Sequence, residues 1–220
     1  MKISKIFYIF SMKCARSSFI KKYGKDIWEK FAEESERNID EILPKIPKIG
    51  NSIFSSSYEF APCYIAWYKA LKELGFTDKE AGECIWLIND KMISALPDFA
   101  RKVYGKIYYS SFRKKSSGHM AKQSSGELHP YDWSIAYRDV SKNVFEIDVL
   151  SCGLKKLARD FDADGMFPYL CRMDYLFADR LHCGFERTKT LGDGNECCNC
   201  RFIIGGSCKW NPDRGFEDGK

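Results

Sequence analysis

Trp133-Ser134-Ile135-Ala136-Tyr137-Arg138 and Phe145-Glu146-Ile147-Asp148-Val149 decide how this chain of 220 residues folds. In each run the large apolar side chains fall at every second position, the period of a strand with one buried face. The polar Ser141-Lys142-Asn143 lies between them, so the two runs are expected to pair as an antiparallel hairpin.

Upstream of Trp133 the period is helical. Ile27, Trp28, Phe31, Ile39, Ile42 and Leu43 recur near helical spacing until Pro44 ends the run. A second helix is expected over residues 59–74, with Cys63, Trp67, Ala70, Leu71 and Leu74 on one side and Gly75 as its C-terminal cap. Thr77-Asp78-Lys79-Glu80 is a capping box. It opens a third helix that runs through Cys84, Ile85, Ile88, Met92 and Ile93 to a stop near Pro97. A fourth follows, with Phe99, Val103 and Ile107 expected inward. Residues 113–130 change composition: Ser116-Ser117-Gly118 and Ser124-Ser125-Gly126 predict a flexible loop, either a connection or a lid over a site.

Downstream of the hairpin, residues 154–161 and 167–181 read as helical. Residues 185–191 and 197–204 read as two further strands joined by Gly192-Asp193-Gly194-Asn195. The order helices, hairpin, helices, hairpin predicts an α+β fold, with an N-terminal helical half packed on a sheet of about four antiparallel strands and C-terminal covering helices. The organisation expected is a single domain: a helical half (1–112), the loop (113–130), a sheet-and-helix half (131–204) and a frayed polar tail (205–220).

The composition, 45% hydrophobic and 30% charged, is that of a globular chain and excludes disordered and fibrous classes. The net charge of +5 is spread among acidic residues without a basic block, so no nucleic-acid partner is expected. No apolar stretch reaches the roughly 18 residues of a membrane span. The run Ile6-Phe7-Tyr8-Ile9-Phe10 is shorter than a signal h-region of about 7 residues, so residues 1–10 read as an amphipathic helix and the protein as cytoplasmic. The partner expected is a small-molecule substrate; the oligomeric state stays open.

Ten cysteines are many for a reducing compartment, and seven of them follow residue 150, which favours catalysis or metal binding over disulfides. Cys197-Cys198-Asn199-Cys200 lacks the paired C-x-x-C knuckles of a structural zinc site, so neither metal nor cofactor is expected. Cys14, Cys63 and Cys84 sit on helical apolar faces and read as core. Cys152 falls where a strand gives way to a helix, whose free N–H groups favour a thiolate. Cys171 and Asp174 are three apart and share a helix face. Cys198 and Cys200 share one face of the last strand and Cys197 takes the other; Thr188 and Thr190 share a face of the strand before it. A carboxylate near Cys171 disfavours its thiolate, which leaves Cys152 and Cys198 as the better nucleophile candidates without a choice between them.

The run Phe185-Glu186-Arg187-Thr188-Lys189-Thr190-Leu191-Gly192-Asp193-Gly194, followed by Cys198-Asn199-Cys200-Arg201-Phe202, resembles the closing signature of the L-2-amino-thiazoline-4-carboxylic acid hydrolase family. Cys152-Gly153-Leu154 and Cys171-Arg172-Met173-Asp174 are similar to that family's C-P-L and C-x-x-D elements. Asn199 stands where the family tends to have Asp, Cys200 where it tends to have Phe, and Gly192 and Gly153 replace a usual Ala and Pro. The resemblance implies hydrolysis of a cyclic isothiourea: water adds at the carbon between sulfur and nitrogen, the C–S bond opens, and an N-carbamoyl-cysteine results. On that chemistry, Cys152, Cys171, Asp174 and Cys198 are the catalytic candidates. Asp174 would pair with the amidine-like ring, Arg187 with the substrate carboxylate, and Thr188 and Thr190 would donate to the tetrahedral adduct. The alternative is a sensor domain on the same scaffold that holds a small molecule or metal without turnover.

Overall fold

The helical half and the sheet are both present in the computed structural model, which describes residues 3–208. Five long helices come first: α1 (Ile3–Tyr23), α2 (Lys25–Ile42), α3 (Ser55–Glu73), α4 (Asp78–Ser94) and α5 (Asp98–Ser124). The capping box at Thr77 forms as the sequence implies. The Thr77 side chain accepts from the Glu80 amide and the Glu80 carboxylate accepts from the Thr77 amide. β1 (Ser134–Ser141) and β2 (Val144–Ser151) make the hairpin, followed by α6 (Gly153–Asp160), α7 (Phe167–Leu170), α8 (Met173–Arg180), β3 (Gly184–Glu186) and β4 (Cys198–Ile203). The sheet is antiparallel in the order β1-β2-β4-β3. No helix among the described residues is long and apolar enough to cross a membrane.

Strand register sets which side chains meet the helices. Ile147 pairs with Cys200 and Val149 with Cys198, and all four are buried. The opposite face carries an ion-pair ladder, with Arg138 to Glu146 and Asp148, and Arg201 to Glu146. One face therefore joins the core and the other meets solvent, as the alternation requires.

Three expectations are corrected. Residues 113–130 are not a flexible loop: α5 continues to Ser124. Ser116 and Ser124 donate their hydroxyls to the carbonyls of Phe112 and Met120, the back-bonding that lets serine sit inside a helix. Only residues 125–133 connect to β1, and buried His119 on α5 bonds the Trp133 carbonyl at 2.7 Å to fix them. The inward face of α5 is also not Phe99, Val103 and Ile107, which are 74%, 55% and 64% exposed. The buried residues are Gly105, Tyr109, Phe112, Ser116 and His119, a helical stripe whose glycine, serine and histidine hide it from a hydrophobicity pattern. Gly105 is required there, because a Cβ would lie 2.2 Å from the Leu181 carbonyl oxygen.

The last hairpin is the third correction. β3 spans three residues only, and the chain then leaves the ladder for a 3-10 turn at Leu191–Asp193. The tail is folded as far as Cys208, which is buried with its thiol directed at the Phe185 carbonyl. The remainder of the expected frayed tail lies outside the described residues.

Candidate active site

The buried face of the sheet does not close against the helices. Between them lies a cleft of two lobes that share Phe54, Ser57, Phe112, Leu154, Leu170, Asp174 and Phe202. The inner lobe, about 120 Å³, is walled by Cys152, Cys171, Cys198, Cys200, Asp174 and Arg187 together with Trp133, Ile147 and Val149. The outer lobe, about 320 Å³, is walled by rings from α1, α3 and α5 and by the apolar side of α8. Asp174 stands at the junction.

Each polar group is placed by a local feature the sequence carries. Cys152 is the N-cap residue of α6, at the end of β2. Gly153 behind it admits no side chain, since a Cβ would lie 1.9 Å from the Tyr131 carbonyl oxygen. Cys171 closes α7 and Asp174 opens α8, so the three-residue spacing still brings both to one side. Gly192 leaves room for Cys171, whose sulfur would lie 2.8 Å from a Cβ at that position. The departures at Gly153 and Gly192 thus both sit where a side chain would press on the thiol-bearing segments.

Asp174 and Arg187 form a pair at 2.6 Å, with Nη1 donating to Oδ2. Arg187 is buried; its Nη2 donates to the Cys171 carbonyl, its plane lies over Phe185 and Tyr175, and its Nε has no hydrogen-bond partner among the described residues. Asp174 keeps a 51% exposed side chain next to Arg187 at 3%, and that exposed surface faces the cleft. Its Oδ1 has no hydrogen-bond partner among the described residues. Desolvation by the surrounding protein outweighs the attraction of Arg187 and holds the Asp174 carboxyl above the usual carboxylate range.

The thiols run against the expectation of a helix-activated thiolate. Burial pushes the Cys152 thiol up, with the nearby Cys171 adding to it, and the backbone N–H groups of Lys155 and Leu154 only partly oppose this. Cys171 is pushed up to about 12, again by burial, with Arg187 pulling the other way. Burial holds Cys200 well above its ordinary value. A helix terminus contributes through one or two N–H groups, whereas the loss of water acts on the whole thiolate. Cys198 is held differently: its sulfur accepts from the Leu191 amide at 3.2 Å and lies 3.5 Å from the Thr190 hydroxyl.

The two threonines part company because β3 ends before them. Thr190 is buried, accepts from the Gly192 amide and contacts Cys198. Thr188 is exposed on the far side, bonded to Asn199, whose Oδ1 accepts from the Thr188 and Lys189 amides at 3.1 and 2.6 Å. Asn199 therefore braces the segment after β3 from outside the cleft, while Cys200 faces into it. Among the described residues no three or more His, Cys, Asp or Glu side chains are arranged so that they could hold a metal ion. His182 lies away from the cleft and meets Asp98 at 2.9 Å.

Sequence reasoning missed the outer lobe. Tyr104, Tyr108, Tyr109 and Phe112 on α5 line it with Phe7 and Phe60. Their spacing along one helix was the available signal, but an aromatic helix face reads first as core. The alternation puts Cys200 on the same strand face as Cys198 but gives no ground for adding it to the candidates.

The family model of the L-2-amino-thiazoline-4-carboxylic acid hydrolases matches residues 57–202, a span that contains every residue of the inner lobe apart from Phe54. No curated protein gives a match to the chain.

Proposed function

Because this chain belongs to the L-2-amino-thiazoline-4-carboxylic acid hydrolase family, we propose that it is an enzyme that opens a cyclic amidine or isothiourea with water in the inner lobe. The observation that carries this reading is the Asp174 carboxylate, which lines both lobes with a half-exposed side chain and is held through Oδ2 by a buried arginine. An amidine-like ring pairs with such a carboxylate through charge-assisted N–H bonds. A carboxyl raised above its usual range is also the better base for drawing a proton from water at neutral pH.

In this reading Asp174 orients the ring and takes a proton from the attacking water. The hydroxide adds to the carbon between sulfur and nitrogen, the C–S bond breaks, the carbon becomes a carbamoyl group and the leaving sulfur takes up a proton. Protonated Cys152 and Cys171 stand on the same wall and are donors for the adduct and the departing sulfur, a role their raised pKa values suit better than attack. Arg187 positions Asp174. Ser57 lines both lobes in the first turn of α3, where no side chain caps the helix, and its end of the helix suits the substrate carboxylate. Thr190 positions Cys198.

Incubation with 2-amino-thiazoline-4-carboxylate or its ring analogues, followed by titration of free thiol, tests the proposal. One thiol released per ring, lost in Asp174→Asn, is the expected result. Tight binding without thiol release would favour the sensor reading instead.

A further inference from the structure

A ring the size of an amino-thiazoline matches the inner lobe of about 120 Å³ and leaves the outer lobe of about 320 Å³ empty. We propose that the outer lobe binds an apolar substituent of the ligand, so that the true ligand joins an amidine-like head at Asp174 to an alkyl or aromatic tail among the rings of α3 and α5. The inference rests on the reading of Asp174 as the head site and extends it to the substrate class.

Three observations support it. The lobes are continuous, so a tail leaving a head at Asp174 enters the outer lobe directly. Among the described residues, Asp174 is the only charged one lining that lobe, and Tyr104, Tyr108 and Tyr109 stay neutral phenols, since burial raises each of them. A cavity of a few hundred Å³ with apolar walls and one convergent charge is suited to an apolar body with one opposite charge. Leu96 and Tyr104 line the lobe and are 43% and 51% exposed, so its mouth is at these residues and the way from solvent to Asp174 passes between the rings.

The test is calorimetric titration of the full chain with acetamidine, butanamidine, hexanamidine and octanamidine, with neutral hexanamide as the control. Burial of a methylene is worth about 0.8 kcal/mol, so affinity is expected to rise about fourfold per methylene until the lobe is filled. Leu96→Trp, an exposed position outside the catalytic groups, narrows the mouth; it should weaken hexanamidine about tenfold or more and leave acetamidine unchanged. Equal affinity along the series overturns the tail site and leaves the head site standing. So does an equal loss for acetamidine and hexanamidine in Leu96→Trp. Hexanamide binding as tightly as hexanamidine keeps the tail site and sinks the Asp174 head. Binding by none of the five sinks both.

Discussion

The two walls of the cleft differ in kind. The wall built from residues 133–202 carries all the thiols and the Asp174–Arg187 pair, within strands and short helices whose own sequence places them. The wall built from α1, α3 and α5 carries mostly aromatic rings and no charged side chain, and its side chains come from elements far apart along the chain. Chemistry is thus written locally and shape is assembled by tertiary packing. Substitutions on the first wall should change the reaction, and substitutions on the second should change what enters.

The largest expected effect is on the first wall. Asp174→Asn keeps the shape and removes the proposed base, so turnover should fall by about 10²- to 10⁴-fold with an unchanged circular dichroism spectrum. The wild-type profile should carry the same signature. The folded carboxyl lies above its ordinary value, so activity and amidine binding need pH above that raised pKa and fall as pH drops through it. The sign for stability is opposite. The folded state holds the proton more tightly than the unfolded chain, so this group's contribution declines as pH rises from the ordinary carboxylate pKa to the raised one. Urea midpoints across that window would show the decline, and its absence in Asp174→Asn assigns it.

Arg187→Met comes next. It removes the buried partner of Asp174 and the donor to the Cys171 carbonyl, at a cost of about 3 kcal/mol in stability. The acid limb of the pH profile should also move to higher pH, because the guanidinium is what lowers the carboxyl against desolvation. A stability loss without a shifted limb would make Arg187 a structural residue alone.

The thiols give a smaller and sharper test. If they act as the proposed donors, Cys152 and Cys171 should react slowly with iodoacetamide at pH 7, and Cys152→Ser should retain activity within about tenfold. Rapid alkylation of Cys152 that abolishes turnover would restore the nucleophile reading.

The same contrast explains what the sequence made legible. The strand alternation at Trp133–Arg138 and Phe145–Val149, the capping box at Thr77 and the helix start after Cys152 are each decided within a few residues, and each stands in the structure. The contact face of α5 is not legible in this way because it is decided elsewhere: Gly105 is inward because Leu181 passes over it, and His119 because the Trp133 carbonyl lies there. Thr188 and Thr190 share a face only if the strand runs on past them, but β3 stops at Glu186 and the following turn is held by Asn199. The thiol of Cys152 shows a similar limit, since the helix terminus after it is visible in sequence and the burial that raises it is not.

The smallest effect belongs to a position the resemblance makes conspicuous. Asn199→Asp restores the residue usual in the family, yet Asn199 sits on the solvent side of β4, opposite Cys198 and Cys200. An aspartate there still accepts from the Thr188 and Lys189 amides, and the Thr188 hydroxyl can turn from accepting to donating. Stability should fall by no more than about 1 kcal/mol, since the new charge stands directly across from Asp148, and kcat/KM should change by no more than about twofold, because that charge lies on the solvent face rather than at the ligand. A tenfold change would mean that the brace outside the cleft transmits to Thr190 and Cys198 within it, and the division between a reacting face and a solvated face of β4 would have to be abandoned.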